Sequence, residues 1–516
     1  MNRRGFLAAG LASLGAACGL PQPKPEAQSP RVSLSDVRRL VAQRVDPIAG
    51  RCRYVADVGT RQVAQPVLYA RRGESFDALI ENALPQPTTV HFHGLTLPQA
   101  QDGAGFDPIA PGASKRVRFQ VQNRSGLYWF HPHPQGFTAE QVYAGLAGLL
   151  VVTDDEDQAL DAALALVPSN RLALAIADMR VENGLIRPYA PGAADCLTGW
   201  IGNKAVVNGR LDAGWSVAPG WVRLQILNAC NARGLLLAFR QDTQLVPFHL
   251  LGTDGGLLSA PRELDRVFLH GGERVDIVID VNGRRALHAV SLEFDARHHA
   301  QSAPPPHRHP ARERYAPLAQ ESVCATSVPP EAKDLPADGG ELALFTLRIE
   351  GTGSGRTPAL PARLSALAEP SASDLPTRRV RLDFDERTGF LIDQTPYAID
   401  ETGFSVSRGA REIWEIKNSP ISMPHAMHVH GFGFRVLRRQ GTFGAARKLA
   451  TEPGGRFGTD LGVKDTVLAW PNETLWLALD FALPREAAFG DPQRYMFHCH
   501  NLEHEDAMMM RNITVT

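Results

Sequence analysis

Four histidine pairs of the form His-x-His, together with one cysteine, constrain the fold of this chain more than any other feature. The 516 residues include 17 histidines, and random placement would give only about 0.6 such pairs. Four pairs stand in larger motifs: His91-Phe-His93, His131-Pro-His133, His428-Val-His430 and His498-Cys499-His500. Side chains alternate between the two faces of a β-strand, so the two histidines of a pair point the same way. Each pair in a strand can therefore offer two imidazoles to one metal cluster.

The cysteine of the last motif points to the opposite face from the two histidines beside it, toward a different metal. His504 and Met509 follow it at short spacing, and His425 is out of phase with the pair from His428 to His430. Two histidines, one cysteine and a weak axial methionine are typical of a blue-copper site. The spacing predicts Cys499, His425 and His504 as equatorial ligands and Met509 as the axial ligand. The other eight motif histidines remain for a second, histidine-only cluster.

These motifs resemble, in content and in order, those of the multicopper oxidases, the family of laccases and bacterial copper-efflux oxidases. They divide between the first and last thirds of the chain, as in that family. Segments of the middle third also resemble the family's copper-free second domain: Val207-Asn208-Gly209, the run from Val222 to Asn228, Thr253-Asp254-Gly255-Gly256 and Gly272-Glu273-Arg274. The resemblance implies an all-β fold of three tandem cupredoxin-like Greek-key β-sandwich domains.

The same resemblance implies four copper ions and a reaction. The cysteine site would hold type 1 copper, and His91 and His428 would hold type 2 copper. The type 3 pair would take the remaining histidines: His93, His131, His133, His430, His498 and His500. A reducing substrate would give single electrons to type 1 copper. The segment from His498 to His500 would carry them to the trinuclear cluster, where O2 is reduced to water.

Reduction of O2 to water consumes protons, so an acid near the cluster is expected. Asp102 and Glu505 stand where the family places its proton-relay carboxylates, and we take both as candidate catalytic residues. Each has a plainer alternative. Asp102 and Gly103 together could simply form a turn, and Glu505 could be a solvated surface acid.

Composition predicts a large, β-rich protein of several domains. A chain of 516 residues exceeds what one core usually supports. The 54 basic and 55 acidic residues nearly balance, which gives no electrostatic case for a nucleic-acid partner. The alternation of short apolar runs and turns marks segments at 46–155, 165–296 and 341–516, with a linker or insert at 297–340. The resemblance implies that these three segments are the first, second and third cupredoxin domains. We expect a monomer.

The N-terminus, residues 1–30, has the pattern of an export signal followed by a Pro-rich tether. Arg3 and Arg4 precede a modest apolar stretch that ends near Ala17. This pattern resembles the twin-arginine signal, which carries folded cargo through the export machinery into the periplasm. An ordinary secretory signal is the alternative. Cys18 follows small residues and could carry a lipid anchor.

The remaining cysteines and histidines support weaker predictions. An oxidising periplasm allows disulfides, and Cys196 with Cys230 is the predicted pairing, although spacing alone cannot fix connectivity. The segment 298–309 contains four histidines. It could capture copper, or it could be a solvated linker.

The sequence leaves the reducing substrate open between a phenolic compound and a metal ion such as Cu(I). Copper-efflux oxidases usually carry a methionine-rich insert in the last domain. This chain has none, so a role in copper homeostasis competes with a general laccase-like activity. A non-enzymatic alternative is a copper-free periplasmic scaffold of the same fold. A copper nitrite reductase would need a shorter, two-domain chain.

Overall fold

The computed structural model describes residues 29–46, 50–294, 340–351, 357–370, 375–385, 388–420, 422–442, 444–484 and 489–516. These residues form six large sheets, which make three sandwiches along the chain, and one small hairpin. The predicted all-β class with three tandem sandwiches is therefore confirmed. Within the described ranges, no helix is both long enough and apolar enough to cross a membrane.

Ten strands build the first sandwich. They are β1 (Arg31–Ser33), β2 (Val37–Asp46), β3 (Arg51–Val58), β4 (Arg61–Ala64), β5 (Val67–Arg71), β6 (Ser75–Ala83), β7 (His91–His93), β8 (Ser114–Gln120), β9 (Gly126–His131) and β10 (Gly148–Thr153). One sheet has the order β4-β3-β2-β6-β8 and the other the order β1-β5-β10-β9-β7. In β6, Phe76, Ala78 and Ile80 are buried and alternate with more exposed residues, because alternate side chains face the core. Leu68 of the second sheet joins them in one apolar cluster.

Fifteen strands build the second sandwich and its hairpin. They are β11 (Arg171–Met179), β12 (Val181–Glu182), β13 (Leu185–Ile186), β14 (Lys204–Val207), β15 (Arg210–Leu211), β16 (Gly214–Val217), β17 (Trp221–Asn228), β18 (Leu235–Gln241), β19 (Gln244–Leu245), β20 (Phe248–Thr253), β21 (Gly256–Leu264), β22 (Arg266–Leu269), β23 (Arg274–Asp280), β24 (Ala286–Ser291) and β25 (Leu342–Ile349). The larger sheet has the order β15-β14-β11-β17-β23-β20-β21. The smaller has the order β16-β25-β24-β18-β19, with β22 beside β18. Ile226 and Phe239 represent the two sheets in the shared core.

Ten strands build the third sandwich. They are β26 (Thr377–Asp385), β27 (Gly389–Ile392), β28 (Phe404–Val406), β29 (Arg411–Asn418), β30 (His425–Val429), β31 (Phe434–Gln440), β32 (Thr466–Ala469), β33 (Thr474–Asp480), β34 (Gln493–Cys499) and β35 (Met510–Val515). The sheets have the orders β27-β26-β29-β33-β31 and β28-β35-β34-β30-β32. Cys499 and Met509 belong to the apolar core between them.

Short helices lie at the edges of the sandwiches. The α-helices are α1 (Gln99–Asp102), α2 (Thr138–Tyr143), α3 (Asp155–Ala163), α4 (Ala193–Thr198) and α5 (Leu502–Asp506). The 3-10 helices are Leu34–Asp36, Pro168–Asn170, Gly444–Leu449, Pro453–Gly455 and Gly458–Leu461. Asp506 of α5 accepts hydrogen bonds from the first backbone N–H groups of α2, those of Thr138 and Ala139, both at 3.0 Å. This contact joins the first and third domains.

Two predicted domain boundaries differ from the strand pairing. The first sandwich begins before residue 46, because β1 pairs with β5 and β2 pairs with β3 and β6. The third domain begins later than 341, because β25 pairs with β24 and β16 in the second sandwich. The predicted linker at 297–340 thus falls between two paired strands of the second domain. A Pro-rich composition cannot distinguish an insertion of this kind from a linker between domains.

Several predictions concern residues outside the described ranges. They are the export signal up to residue 28 with Cys18, and the histidines of the segment 298–309. These stay predictions.

Candidate metal centres

Strand pairing places the four histidine motifs side by side in twos. In the first domain, β7 runs antiparallel to β9 with His91 opposite His131. In the third domain, β30 runs antiparallel to β34 with His428 opposite His498. All four side chains are fully buried. The register thus brings the two histidine motifs of the first domain together, and likewise the two motifs of the third domain.

The two histidine-bearing strand pairs, β7 with β9 and β30 with β34, meet across the interface between the first and third domains. The ring of His91 stacks on that of His430 with centroids 3.9 Å apart, and His93 stacks on His428 at 3.7 Å. His500 lies against the same group, 5.0 Å from the ring of His93. One buried cluster therefore contains the eight histidines that are left after the cysteine site is assigned.

The cluster holds ring nitrogens that lack hydrogen-bond partners. The Nδ1 atoms of His91, His131 and His428 each lie 2.8 Å from a backbone carbonyl. A carbonyl only accepts, so Nδ1 carries the hydrogen and Nε2 keeps a free lone pair. Each of these Nε2 atoms is buried without a partner. Such atoms are costly in a protein interior unless something binds them.

Other ring nitrogens of the cluster lie close to one another. Nε2 of His498 is 3.0 Å from Nε2 of His430 and 3.3 Å from Nε2 of His133. Nitrogen ligands about 2.0 Å from a shared metal ion lie roughly this far from one another. Within the described ranges, five groups have ligand atoms that all lie within 4.8 Å of one another: His91, His93 and His131; His91, His428 and His430; His133, His430 and His498; His93, His428 and Asp465; His425, Cys499 and His504. The donor set thus fits metal ions.

Asp102 faces this cluster. It ends helix α1, and the next residue, Gly103, has φ of +77° and would place a Cβ 1.9 Å from the carbonyl oxygen of Val90. This tight turn directs the carboxylate inward, where Oδ2 accepts a hydrogen bond from Nδ1 of His430 at 2.8 Å. Oδ1 is buried without a partner. The turn is present, and the carboxylate also contacts a predicted ligand.

Glu505 contacts two other histidines of the cluster. It is fully buried in α5, so its interpretation as a surface acid is wrong. Its carboxylate oxygens lie 3.3 Å from Nδ1 of His498 and 3.4 Å from Nε2 of His133. Burial raises the pKa of Glu505 well above its usual range.

The predicted cysteine site is a separate and compact group. Sγ of Cys499 lies 3.6 Å from Nδ1 of both His425 and His504. The opposite ring nitrogens have protein partners: the Ser422 hydroxyl is 2.7 Å from Nε2 of His425, and the Leu197 carbonyl is 2.8 Å from Nε2 of His504. These contacts direct both Nδ1 atoms toward the sulfur. Burial raises the pKa of Cys499 to about 12, so a bound cation is needed to hold the thiolate.

Met509 lies in the same part of the core. Its side chain is fully buried and belongs to the apolar cluster that contains Cys499. Its backbone carbonyl accepts a hydrogen bond from the N–H of Cys499 at 3.0 Å. Met509 is thus next to the predicted site, and its role as axial ligand stays a prediction.

Sequence reasoning missed Asp465, which touches two predicted ligands. Its Oδ1 lies 3.0 Å from Nε2 of His93, and its backbone carbonyl is 2.8 Å from Nδ1 of His428. Asp465 belongs to none of the histidine motifs. Its position depends on the contact between two domains, which spacing along the chain does not encode.

The predicted disulfide between Cys196 and Cys230 is wrong. Cys230 is a free, buried thiol, whose Sγ lies 3.6 Å from the backbone carbonyl of Ile176. Cys196 is disulfide-bonded, but not to Cys230. Membership of the same domain was too weak a criterion for pairing, because Cys230 follows β17 directly and its thiol contacts β11 of the same sheet.

Two family models, both described as multicopper oxidase, match residues 49–157 and 369–516. The chain is 26% identical over 455 residues to the multicopper oxidase mco of Staphylococcus aureus, covering 87% of this chain and 82% of that protein. It is also 27% identical over 448 residues to the cell division protein FtsP of Xenorhabdus nematophila, covering 86% and 81%. The crystal structure of McoA, a multicopper oxidase from Aquifex aeolicus, matches with a TM-score of 0.76 at 26% identity, covering 96% of this chain and 99% of that one.

Proposed function

Since this chain belongs to the multicopper oxidase family, with three cupredoxin-like domains, we propose that it is a copper-dependent oxidase that uses O2 as electron acceptor. It oxidises a reducing substrate one electron at a time at a type 1 site and reduces O2 to water at a three-copper cluster. The observation that carries the proposal is the set of buried imidazole nitrogens without hydrogen-bond partners, gathered beside a second group of two histidines and a cysteine.

Four copper ions fit the donor atoms. Cys499, His425 and His504 would hold the type 1 copper, with Met509 as its fourth, weaker ligand. His91 and His428 take the type 2 copper. The type 3 pair takes the other six: His93, His131, His133, His430, His498 and His500. All of these side chains are buried, so the metal ions would lie shielded from bulk water.

When bound, copper supplies the one-electron steps at the cysteine site and the binding and reduction of O2 at the histidine cluster. The protein supplies the path between them, because Cys499 is covalently joined to His498 and His500. Four substrate electrons and four protons convert one O2 into two waters. Asp102 and Glu505 contact different cluster histidines, and we assign them the delivery of those protons.

A small metal ion such as Cu(I) fits the electron-entry site better than a phenol does. His504 is fully buried beneath the Leu197 carbonyl of α4. The cavity beside it has a volume of about 10 Å³, close to the size of a water molecule, and is lined in part by Met423 and His270. A thioether is a soft ligand that suits Cu(I). A bulkier phenolic substrate would require α4 to move.

We also propose that the protein works as a monomer in the periplasm. The periplasmic location rests on the sequence of residues 1–30, including the pair Arg3 and Arg4 and the candidate lipid-anchor residue Cys18. Replacing both arginines by lysine should block export if the twin-arginine route is used. Normal export of that variant would contradict it.

The second candidate function is a copper-free scaffold of the same fold. The similarity to cell division proteins named FtsP favours it. The ligand positions argue against it, because a scaffold has no need for nine buried histidines and a buried cysteine in groups whose ligand atoms lie within 4.8 Å of one another.

Copper content, blue absorption and O2 uptake of the purified, copper-loaded protein test the proposal. We expect four coppers per chain and one O2 consumed per four substrate electrons. Cys499→Ser should lose one copper and the blue absorption but keep the cluster copper. Cys230→Ser is the matched control, because it alters another buried free thiol, and it should behave like the wild type. A folded wild-type protein that binds no copper would instead support the scaffold.

A further inference from the structure

Asp465 connects two cluster histidines that come from different domains. Its Oδ1 lies 3.0 Å from Nε2 of His93 in the first domain. Its backbone carbonyl accepts the hydrogen bond of Nδ1 of His428 in the third domain, at 2.8 Å. These contacts leave Nδ1 of His93 and Nε2 of His428 without protein partners. Asp465, together with the Thr466 hydroxyl, which lies 3.2 Å from the same two ring nitrogens, thus decides which nitrogen of each ring is free.

Arg274, from the second domain, holds Asp465 in place. Its Nη1 lies 2.7 Å from Oδ1 and its Nη2 lies 2.5 Å from Oδ2. Two parallel hydrogen bonds fix the plane of the carboxylate as well as its position. Further donors of Arg274 reach the backbone carbonyls of Leu127, Gly272 and Asp254. The guanidinium is fully buried and is therefore itself held rigidly.

Two glycines make this approach possible. Gly94, directly after His93, has φ of +86°, and a Cβ there would lie 2.6 Å from Oδ2 of Asp465 and 2.7 Å from Nη2 of Arg274. Gly272 has φ of +85°, and its Cβ would lie 3.2 Å from the ring of His500. The turn that presents Arg274 therefore touches a third cluster histidine directly.

Stability alone does not explain why a charged pair occupies this place. Burying two charges costs desolvation energy that their attraction only partly offsets, and apolar replacements are often as stable. Lys464, Asp254 and Glu273 lie beside the pair: Nζ of Lys464 is 3.1 Å from Asp254 and 2.9 Å from Glu273. A better explanation for a buried network of this size is that it fixes the position of the Asp465 carboxylate, which contacts His93.

We infer that Arg274 is a positioning residue for the histidine cluster and acts through Asp465. The second domain contributes no predicted ligand, yet through this arginine it orients His93 and supports the carbonyl that orients His428. The inference rests on the proposed function, since it concerns the copper affinity of that same cluster.

The test compares Arg274→Gln with Arg223→Gln. Arg223 is an equally buried arginine of the second domain, paired with Asp157, Asp161 and Asp276. Its variant controls for the loss of a buried ion pair. Copper is withdrawn stepwise with a chelator, and bound copper and blue absorption are measured at each step. We expect Arg274→Gln to bind cluster copper about 10- to 100-fold more weakly, as with other residues that orient metal ligands. Its blue absorption should stay at the wild-type level.

Arg223→Gln should lose thermal stability but keep the copper affinity of both sites. Arg274→Lys retains the charge but not the two parallel hydrogen bonds, so it should weaken cluster copper to an intermediate degree. It also serves as the test variant if Arg274→Gln does not fold. Cluster affinity at the wild-type level in the folded Arg274 variants, or parallel loss of blue absorption and cluster copper, would overturn the inference. Absence of copper from the wild type would instead refute the proposed function.

Discussion

At the scale of single residues, Asp102 combines two properties that a proton donor to the cluster needs. Oδ2 is fixed by the hydrogen bond from His430, while Oδ1 is buried and has no hydrogen-bond partner. The first oxygen holds the group in place, and the second can carry a proton toward the cluster. Glu505 contacts two other cluster histidines, His498 and His133, so the cluster has a second candidate proton donor.

Asp102→Asn separates proton delivery from copper binding. The amide oxygen of asparagine can still accept from His430, so copper content and blue absorption should stay unchanged. Asparagine cannot carry the proton, so reoxidation of the fully reduced enzyme by O2 should slow by about 10²- to 10⁴-fold. Stopped-flow mixing with O2 measures this step. Asp107→Asn, an exposed acid paired with Lys115, is the control. Reoxidation of Asp102→Asn at the wild-type rate would exclude the role.

His270 should make the copper-free protein sensitive to mild acid. Burial lowers the pKa of His270 to about 4, whereas the pKa of a histidine in an unfolded chain is about 6.5. The unfolded state therefore binds more protons between these values, and stability falls as the pH falls through this window. Between pH 7 and pH 5 this residue should cost about 2 kcal/mol.

Urea unfolding of the copper-free protein at pH 7 and pH 5 checks this effect. His270→Gln has no titrating ring, so its loss of stability over the interval should be smaller by that amount. The predicted ligands titrate in both proteins, and the comparison removes their contribution. Equal losses in the two proteins would show that His270 does not titrate as its burial implies.

Residue spacing predicted partners within one domain better than partners between domains. The phase of His425 relative to His428 correctly indicated that it faces Cys499. Asp465 and Leu197, which orient predicted ligands, could not be predicted, because each meets its histidine through packing between domains. A backbone carbonyl such as that of Leu197 leaves no trace in the residue type at all.

At the scale of elements, helix α4 contacts His504 of the predicted electron-entry site. It belongs to the second domain, yet the carbonyl of its Leu197 accepts the Nε2–H of His504. The disulfide at Cys196 lies next to this contact. The helix has only six residues and no fully buried side chain, so packing alone anchors it weakly. We therefore expect the disulfide to help hold α4 against His504.

Cys196→Ser should widen access to His504. Without the disulfide, α4 should open more often, because elements with few buried contacts have low local stability. Oxidation of a methoxyphenol should then rise about tenfold relative to oxidation of Cu(I), which corresponds to roughly 1.4 kcal/mol. Cys230→Ser is the control. A change by the same factor for both substrates would show that α4 does not select by size.

The strands were easier to predict than their grouping into domains. Alternation of apolar residues is local, and β6 shows it plainly. The membership of β25 in the second sandwich is not local, because its partner strand β24 ends more than forty residues earlier. Composition indicated the intervening segment but could not show that the chain returns to the same sheet.

At the scale of the whole molecule, all three domains converge on the histidine cluster. The first and third supply the predicted ligands, and the second supplies Arg274, which is bound to Asp465 of the third. The domain interface is thus lined with imidazole nitrogens that have no protein partner. Metal binding would satisfy them and at the same time join the first domain to the third, so copper occupancy and stability should be coupled.

Removal of copper should lower the stability of the entire chain. A ligand that binds only the folded state adds about 2.7 kcal/mol at a concentration 100 times its dissociation constant. For a chain of 516 residues that unfolds as one unit, that corresponds to a fall in the unfolding midpoint of about 2.5 °C for each such site removed. Calorimetry of the copper-loaded and chelated protein measures the fall.

The variant Cys499→Ser shows whether copper at the proposed type 1 site or copper at the histidine cluster provides this stabilisation. Its type 1 site lies within the third domain, whereas the cluster joins two domains, so this variant should keep most of the copper-dependent stabilisation. If it loses nearly all of that stabilisation while retaining cluster copper, metal at the domain interface does not hold the domains together. Equal midpoints for the loaded and chelated wild type would lead to the same conclusion by a second route, since metal that binds the native interface must stabilise it.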